Sequence, residues 1–143
     1  MPYRFLEDIA IADVAFEATG RNREELFISA ADALLNVMVD DPATVRLLEQ
    51  VEFRVEEKEL DMLLFNFLNE LVFFKDARQL LLRVSAVEFR RSGGSFGLSA
   101  RAGGERPDPA RHPLIVDVKA VTLHRFRVEK KRRGWRAEVV LDI

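Results

Sequence analysis

Three carboxylates lie near the ends of this chain of 143 residues. Asp13 opens a stretch that alternates apolar and polar residues, and Asp142 and Ile143 close the last one. If those two strand ends meet, the Asp13 and Asp142 side chains converge with the main-chain carboxylate of Ile143, where Ile143 is the terminus. Like charges so placed repel and favour a bound cation, and hard carboxylate oxygens suit calcium or magnesium. Asp8 is a further candidate ligand. The competing reading is that these are solvated charges at strand ends, a pattern that by spacing alone is weak.

Lys119, Thr122 and His124 form a second polar set. On a regular strand Lys119 faces away from Thr122 and His124, so they make no obvious catalytic pair. A lone His on a strand is more often a hydrogen-bonded structural residue than a ligand. Glu105, Asp108 and His112 lie in a stretch rich in Gly and Pro that reads either as a partner-binding loop or as an ordinary connection. Arg125, Arg127 and residues 130–133 supply the one basic run. A solvated hairpin turn is the favoured reading, and direct RNA binding is expected to be weak or absent.

Other chemistries are poorly supplied. There are no cysteines and two histidines, which excludes thiolate zinc sites, thiol catalysis and His-rich metal centres. No serine sits in a nucleophile-elbow setting, and Gly93-Gly94 lacks the rest of a phosphate-binding loop. The formal net charge of −2 gives no strong overall field for attracting nucleic acid. The apolar-rich stretch from Leu60 to Phe74 is interrupted by Asn66, Asn69 and Glu70, too short and polar for a bilayer span. No membrane association and a cytoplasmic location are the expectation.

The elements that must position these residues follow from periodicity. Residues 3–8 and 13–19 read as strands, the second with Val14, Phe16 and Ala18 on one face. Asn22 caps a helix, with Glu25 three residues on, and Leu26, Ala30, Ala33, Leu34, Val37 and Met38 mark its apolar face. Asp40-Asp41-Pro42 stops it. Val51, Phe53 and Val55 predict a half-buried strand, and residues 60–75 a second, more deeply buried helix. Strands follow around Leu80–Phe89, a turn at Gly93-Gly94, and a returning strand over 95–101. A loop is expected over 103–113, a long strand over 114–130, a turn at 131–134 and a final strand over 135–143. The fold class is α+β, with two helices on one face of a mostly antiparallel, mixed sheet, as one domain over 1–143.

Several segments, taken in order, resemble the archease family along essentially the whole chain. Phe5-Leu6-Glu7-Asp8 and Ala12-Asp13-Val14 are similar to its opening motif, and Leu60-Asp61-Met62-Leu63-Leu64 with Leu68-Asn69-Glu70-Leu71 to its second helix. Gly104-Glu105, His112 and the run from Val118 to His124 resemble its most distinctive segment, and Leu141-Asp142-Ile143 its ending. There are departures: Asp8 stands where the family commonly has His, two residues are added before Asp13, and Leu123 replaces a frequent Tyr. The resemblance implies a non-enzymatic activator of the tRNA-splicing RNA ligase, which joins 2′,3′-cyclic phosphate or 3′-phosphate ends to 5′-hydroxyl ends. It would promote guanylylation of the ligase and multiple turnover. It implies a divalent cation, calcium first with magnesium or manganese as alternatives, held by Asp13 and Asp142, and a role for Lys119 at the ligase site. The alternative is a chaperone or modulator of a tRNA cytosine methyltransferase. A stand-alone metal-dependent hydrolase lacks an evident base or nucleophile set.

Overall fold

The computed structural model describes residues 2–6 and 13–143. Asp8, a candidate ligand, lies outside the described residues. The chain runs β1 (Tyr3–Leu6), β2 (Asp13–Gly20), α1 (Arg23–Met38), a 3-10 turn (Pro42–Thr44), β3 (Glu49–Glu57), α2 (Leu60–Arg78), β4 (Leu81–Ser92), β5 (Ser95–Glu105), β6 (Ala120–Lys131) and β7 (Gly134–Asp142). The architecture is the expected α+β one, with two helices on antiparallel sheet. The strands form two sheets rather than one, ordered β1-β2-β7-β6 and β3-β5-β4, and each of their pairings is antiparallel.

The second sheet explains why α1 is buried on more than the face its periodicity marks. Phe27, Ser29, Ala31 and Leu35 are buried in addition to Leu26, Ala30, Ala33 and Leu34. Helix α1 packs against β2 and β7 of one sheet and β4 of the other, so apolar residues all round it find partners. Asn22 caps it, accepting from the Glu25 backbone N–H at 2.8 Å. Helix α2 also meets strands of both sheets. Its Phe67 is fully buried against the rings of Phe27 and Phe53. The helix runs past the expected 75 to Arg78 and ends at Gln79, left-handed at φ 53°, whose N–H donates to the Phe74 carbonyl. Lys75 and Arg78 lie in that last turn, where they complement the helix dipole.

Two irregularities reset the alternation that a sequence pattern assumes. In β4 the register jumps between Val84 and Ala86, which explains why the apolar positions change parity from Leu82 and Val84 to Val87 and Phe89. In β6 five steps from Thr122 to Arg127 answer two steps from Val140 to Glu138 in β7, and Arg125 adopts φ 55°. Parity arguments that relate Lys119 to His124 therefore fail. Lys119 precedes β6, and His124 stands in the irregular segment.

The loop expected over 103–113 is corrected at its start, because β5 continues through Gly103, Gly104 and Glu105. The long strand expected over 114–130 is shortened. Residues 114–119 form an extended strap with one isolated bridge, Val39 to Leu114, and β6 begins at Ala120. Pro113 and the exposed run from Leu114 to Asp117 offer the sheet no alternating buried face.

Gly104 is the tightest point of the second sheet: a Cβ there would stand 1.7 Å from the Leu81 carbonyl oxygen. At Gly97, in the same strand, a Cβ would make ordinary contacts of 3.8 Å. Gly104→Ala is expected to destabilise the protein by about 3 kcal/mol. Gly97→Ala is expected to stay within about 1 kcal/mol of the parent. Urea unfolding followed by circular dichroism separates the two.

Candidate functional site

The β2–β7 pairing runs without a break from Asp13 opposite Asp142 to Gly20 opposite Trp135. Directly opposed residues of an antiparallel pair project from the same face, with Cβ atoms roughly 5 Å apart. Asp13 and Asp142 are thus neighbours, both half-buried. Ile143 follows at once, and its side chain packs against the core, which fixes the main chain at this strand end.

The same two strands carry a second opposed acidic pair, Glu17 and Glu138, four positions along each strand on the same face. Like charges directly opposite are destabilising unless compensated. Here compensation is visible. Arg136 lies 2.8 Å and Arg4 3.2 Å from Glu17, while Arg125 lies 3.2 Å and Arg136 3.8 Å from Glu138. Partial burial pushes the Glu17 carboxyl up, but hydrogen bonds from Arg4 and Arg136 outweigh it and hold it below the ordinary glutamate value. Among the described residues no cationic side chain pairs with Asp13 or Asp142. The described residues also contain no group of three or more acidic or histidine side chains arranged to hold a metal ion. The side chains assembled here are therefore a carboxylate pair.

Lys119 lies beside this pair: its backbone N–H donates to the Asp142 carbonyl at 2.8 Å, and its side chain is exposed. Ala120 is the register partner of Asp142 on the β6 side. His124 is exposed within the irregular part of β6, and the structure does not bring it into contact with the pair. Thr122 is structural, donating its hydroxyl to the Val140 carbonyl at 3.0 Å.

The strap that leads to Lys119 is anchored by a buried network that the sequence does not reveal. Glu105, at the end of β5, accepts from the Arg46 backbone N–H at 2.6 Å, from Arg111 at 2.8 Å and from the Arg46 guanidinium at 3.1 Å. His112 is 1% exposed, and its Nε2 stands 3.1 Å from Glu105 Oε2. The Asp108 backbone N–H donates to His112 Nδ1 at 2.8 Å, so the hydrogen-bond pattern assigns the proton to Nε2. Burial pushes the Glu105 carboxyl up, but these four donors outweigh it and hold it far below the ordinary carboxylate range. Beyond His112 the strap is tied to the end of α1, by Asp40 N–H to the Pro113 carbonyl and Ile115 N–H to the Met38 carbonyl. Asp117 then pairs with the buried Lys75. Burial lowers the Lys75 pKa, but hydrogen bonds to Asp117 and Asp76 outweigh this and hold it above the ordinary lysine value. The strap thus reaches Lys119 already fixed at three points. The stretch holding Glu105, Asp108 and His112 is an anchor; the one signal for it in the sequence is an acid ending a strand of small residues.

Residues 3–143 match the Archease protein family. The chain belongs to the archease family. The archease of Methanosarcina mazei is 34% identical over 142 residues, covering 99% of this chain and 95% of that protein. The archease of Archaeoglobus fulgidus is 34% identical over 143 residues, the full length of both. Protein 1598 of Methanobacterium thermoautotrophicum, solved in solution, superposes with a TM-score of 0.86 at 29% identity, with 99% of each chain covered. A crystal structure from Thermotoga maritima, described as an archease and possible chaperone, shares the fold with a TM-score of 0.61 at 20% identity and 98% coverage of each chain.

Because the folded-state pKa of Glu105 is depressed, the unfolded chain binds more protons than the folded one below roughly pH 5. The stabilisation is fully present above that range and is lost as pH falls through it. Glu105→Gln is therefore expected to lower stability at pH 7 and to flatten the decline between pH 5 and 3, read from urea midpoints at each pH. His112→Ala, which orphans the Asp108 N–H, is expected to cost about 1–3 kcal/mol.

Proposed function

We propose that this archease is an accessory protein, not itself an enzyme, that activates the tRNA-splicing RNA ligase by presenting a carboxylate-held divalent cation. The observation that carries the reading is the contrast between the two opposed acidic pairs on β2 and β7. Glu17 and Glu138 are neutralised by three arginines, whereas Asp13 and Asp142 form no ion pair with a cationic side chain among the described residues. An uncompensated carboxylate pair at a fixed spacing fits a hard cation, calcium first and magnesium or manganese as alternatives. Asp13 and Asp142 would hold the ion, joined by the Ile143 carboxylate where that residue is the chain terminus. The bound ion would supply positive charge for phosphate oxygens at the ligase's guanylylation site. Lys119, held beside Asp142, would add a second positive group facing the partner. The contact with the ligase would be transient.

A second reading, a chaperone or modulator of a tRNA cytosine methyltransferase, draws on the description of the Thermotoga maritima protein as a possible chaperone. It needs the same fold and no ligase activation.

Single-turnover guanylylation of the RNA ligase from the same organism tests the first reading. Acceleration is expected with this protein present, falling by about tenfold or more with Asp13→Ala or Asp142→Ala, a loss of at least ~1.4 kcal/mol of barrier lowering. Calcium titration calorimetry on the same variants should show the parallel loss of binding. Lys119→Ala should lower activation while keeping metal affinity. No acceleration by a folded, calcium-loaded sample would sink the ligase reading and favour the methyltransferase one.

A further inference from the structure

The basic run at 130–133 looks in sequence like a solvated turn, but the fold adds cations to it from other elements. The β6–β7 hairpin closes through Arg132 and Arg133, with Lys131 opposite Gly134. Gly134 lies so close to the β2 end that a Cβ on it would stand 2.4 Å from the Gly20 carbonyl oxygen. Its φ of 143° is one that a side chain disfavours. This close approach sets the hairpin tip against the β2–α1 junction and brings Arg21 beside Arg133. Together with Lys131, Arg136 and Trp135 they line a cleft of about 380 Å³.

Most of the local carboxylates are already engaged. Arg21 bonds Glu25 through its Nε at 3.0 Å while its side chain stays 87% exposed. Lys131 and Arg136 share Glu129, and Arg136 also holds Glu17. Lys130, Arg132 and Arg133 enter no ion pair among the described residues. These three cations without a carboxylate partner are about three positive charges available to a ligand, which is what phosphate neutralisation requires. The cleft is within the size range of small-ligand sites. Trp135 forms part of its wall, with the Lys130 ammonium 5.8 Å from the ring centroid. Aromatic rings within a basic groove are how base-tolerant single-strand sites are built. An anionic membrane surface fits less well, because membrane-seated basic elements pair their charges with projecting apolar residues, and the hairpin tip offers only Arg132 and Arg133.

We propose that the β6–β7 hairpin end, with Arg21, is a weak, salt-dependent contact site for the sugar–phosphate backbone of single-stranded RNA. Gly134, at this hairpin end, lies eight residues of extended strand from Asp142, about 26 Å. The acidic and the basic ends of β7 are therefore separate sites.

The test is anisotropy of a fluorescein-labelled, unstructured 12-nucleotide RNA titrated with the full chain at a series of salt concentrations. Quenching of Trp135, the one tryptophan in the chain, gives an independent readout. Binding at low salt is expected, with a slope of log K against log salt of about −2. Lys130→Ala combined with Arg133→Ala should flatten the slope by about 1.4 while leaving the circular dichroism spectrum unchanged. Asp13→Ala should leave RNA binding intact, so the result is separable from the metal reading. No binding at low salt, or binding unchanged in the double variant, would overturn the proposal. So would binding to phosphatidylserine-containing vesicles in place of RNA.

Discussion

The pairing of β2 with β7 joins the two ends of the chain, and the rest of the structure is arranged around it. Until these strands meet in register, Asp13 and Asp142 are separated by nearly the whole sequence. Closing so long a loop costs entropy that only non-local contacts return. Those contacts are the core itself. Phe16, Ala18, Ala137, Val139 and Leu141 are buried on the inner face of this pair, against α1. A slip of one residue would turn that apolar set outward, so burial fixes the register. Burial on the inner face thereby decides which carboxylates become neighbours on the outer face.

The outer face shows two treatments of one electrostatic problem. Both acidic pairs arise from the same regular register, four positions apart. At Glu17 and Glu138 the neighbouring strands supply arginines: Arg4 from β1, Arg136 from β7 itself and Arg125 from β6. Arg125 reaches Glu138 from the irregular part of β6, where its left-handed backbone departs from regular strand geometry. No such ion pair forms at Asp13 or Asp142 among the described residues. A like-charge pair kept in a stable strand register is costly without a counter-charge, and that cost gives the metal-binding reading its physical content.

The strap between β5 and β6 is organised from the opposite direction. Its fixed point is Glu105, a carboxylate taken into the protein and satisfied by two arginines, a backbone amide and His112. Burying a charge is costly unless every acceptor is met, and here four donors meet it. The following tethers, at the end of α1 and at Lys75, leave Leu114, Ile115 and Val116 exposed while bringing Lys119 to Asp142. Lys119 thus stands at the end of an anchored strap, held by its own N–H bond to the Asp142 carbonyl and by the burial of Val118 beside it.

The sequence by itself determined the elements and their class. Apolar periods of 3.6 and 2 locate both helices and most strands, Asn22 and Asp40-Asp41-Pro42 bound α1, and Gly93-Gly94 marks the β4–β5 turn. The ordered motifs from Phe5 to Ile143 point to the family that the comparisons establish. Tertiary structure alone decided the division into two sheets, because strand pairing depends on which faces the helices cover. It also decided the irregularities at Val84–Ala86 and Thr122–Arg127, since an odd number of inserted residues, one in β4 and three in β6, inverts the alternation. The burial of Glu105 and His112 was not legible, because a charged residue in a Gly- and Pro-rich stretch reads as solvated until its donors, 59 residues away in Arg46's case, are folded against it. For the same reason the adjacency of Asp13 and Asp142 was conditional in the sequence and is definite in the fold: it is a property of register, and register is set by the core.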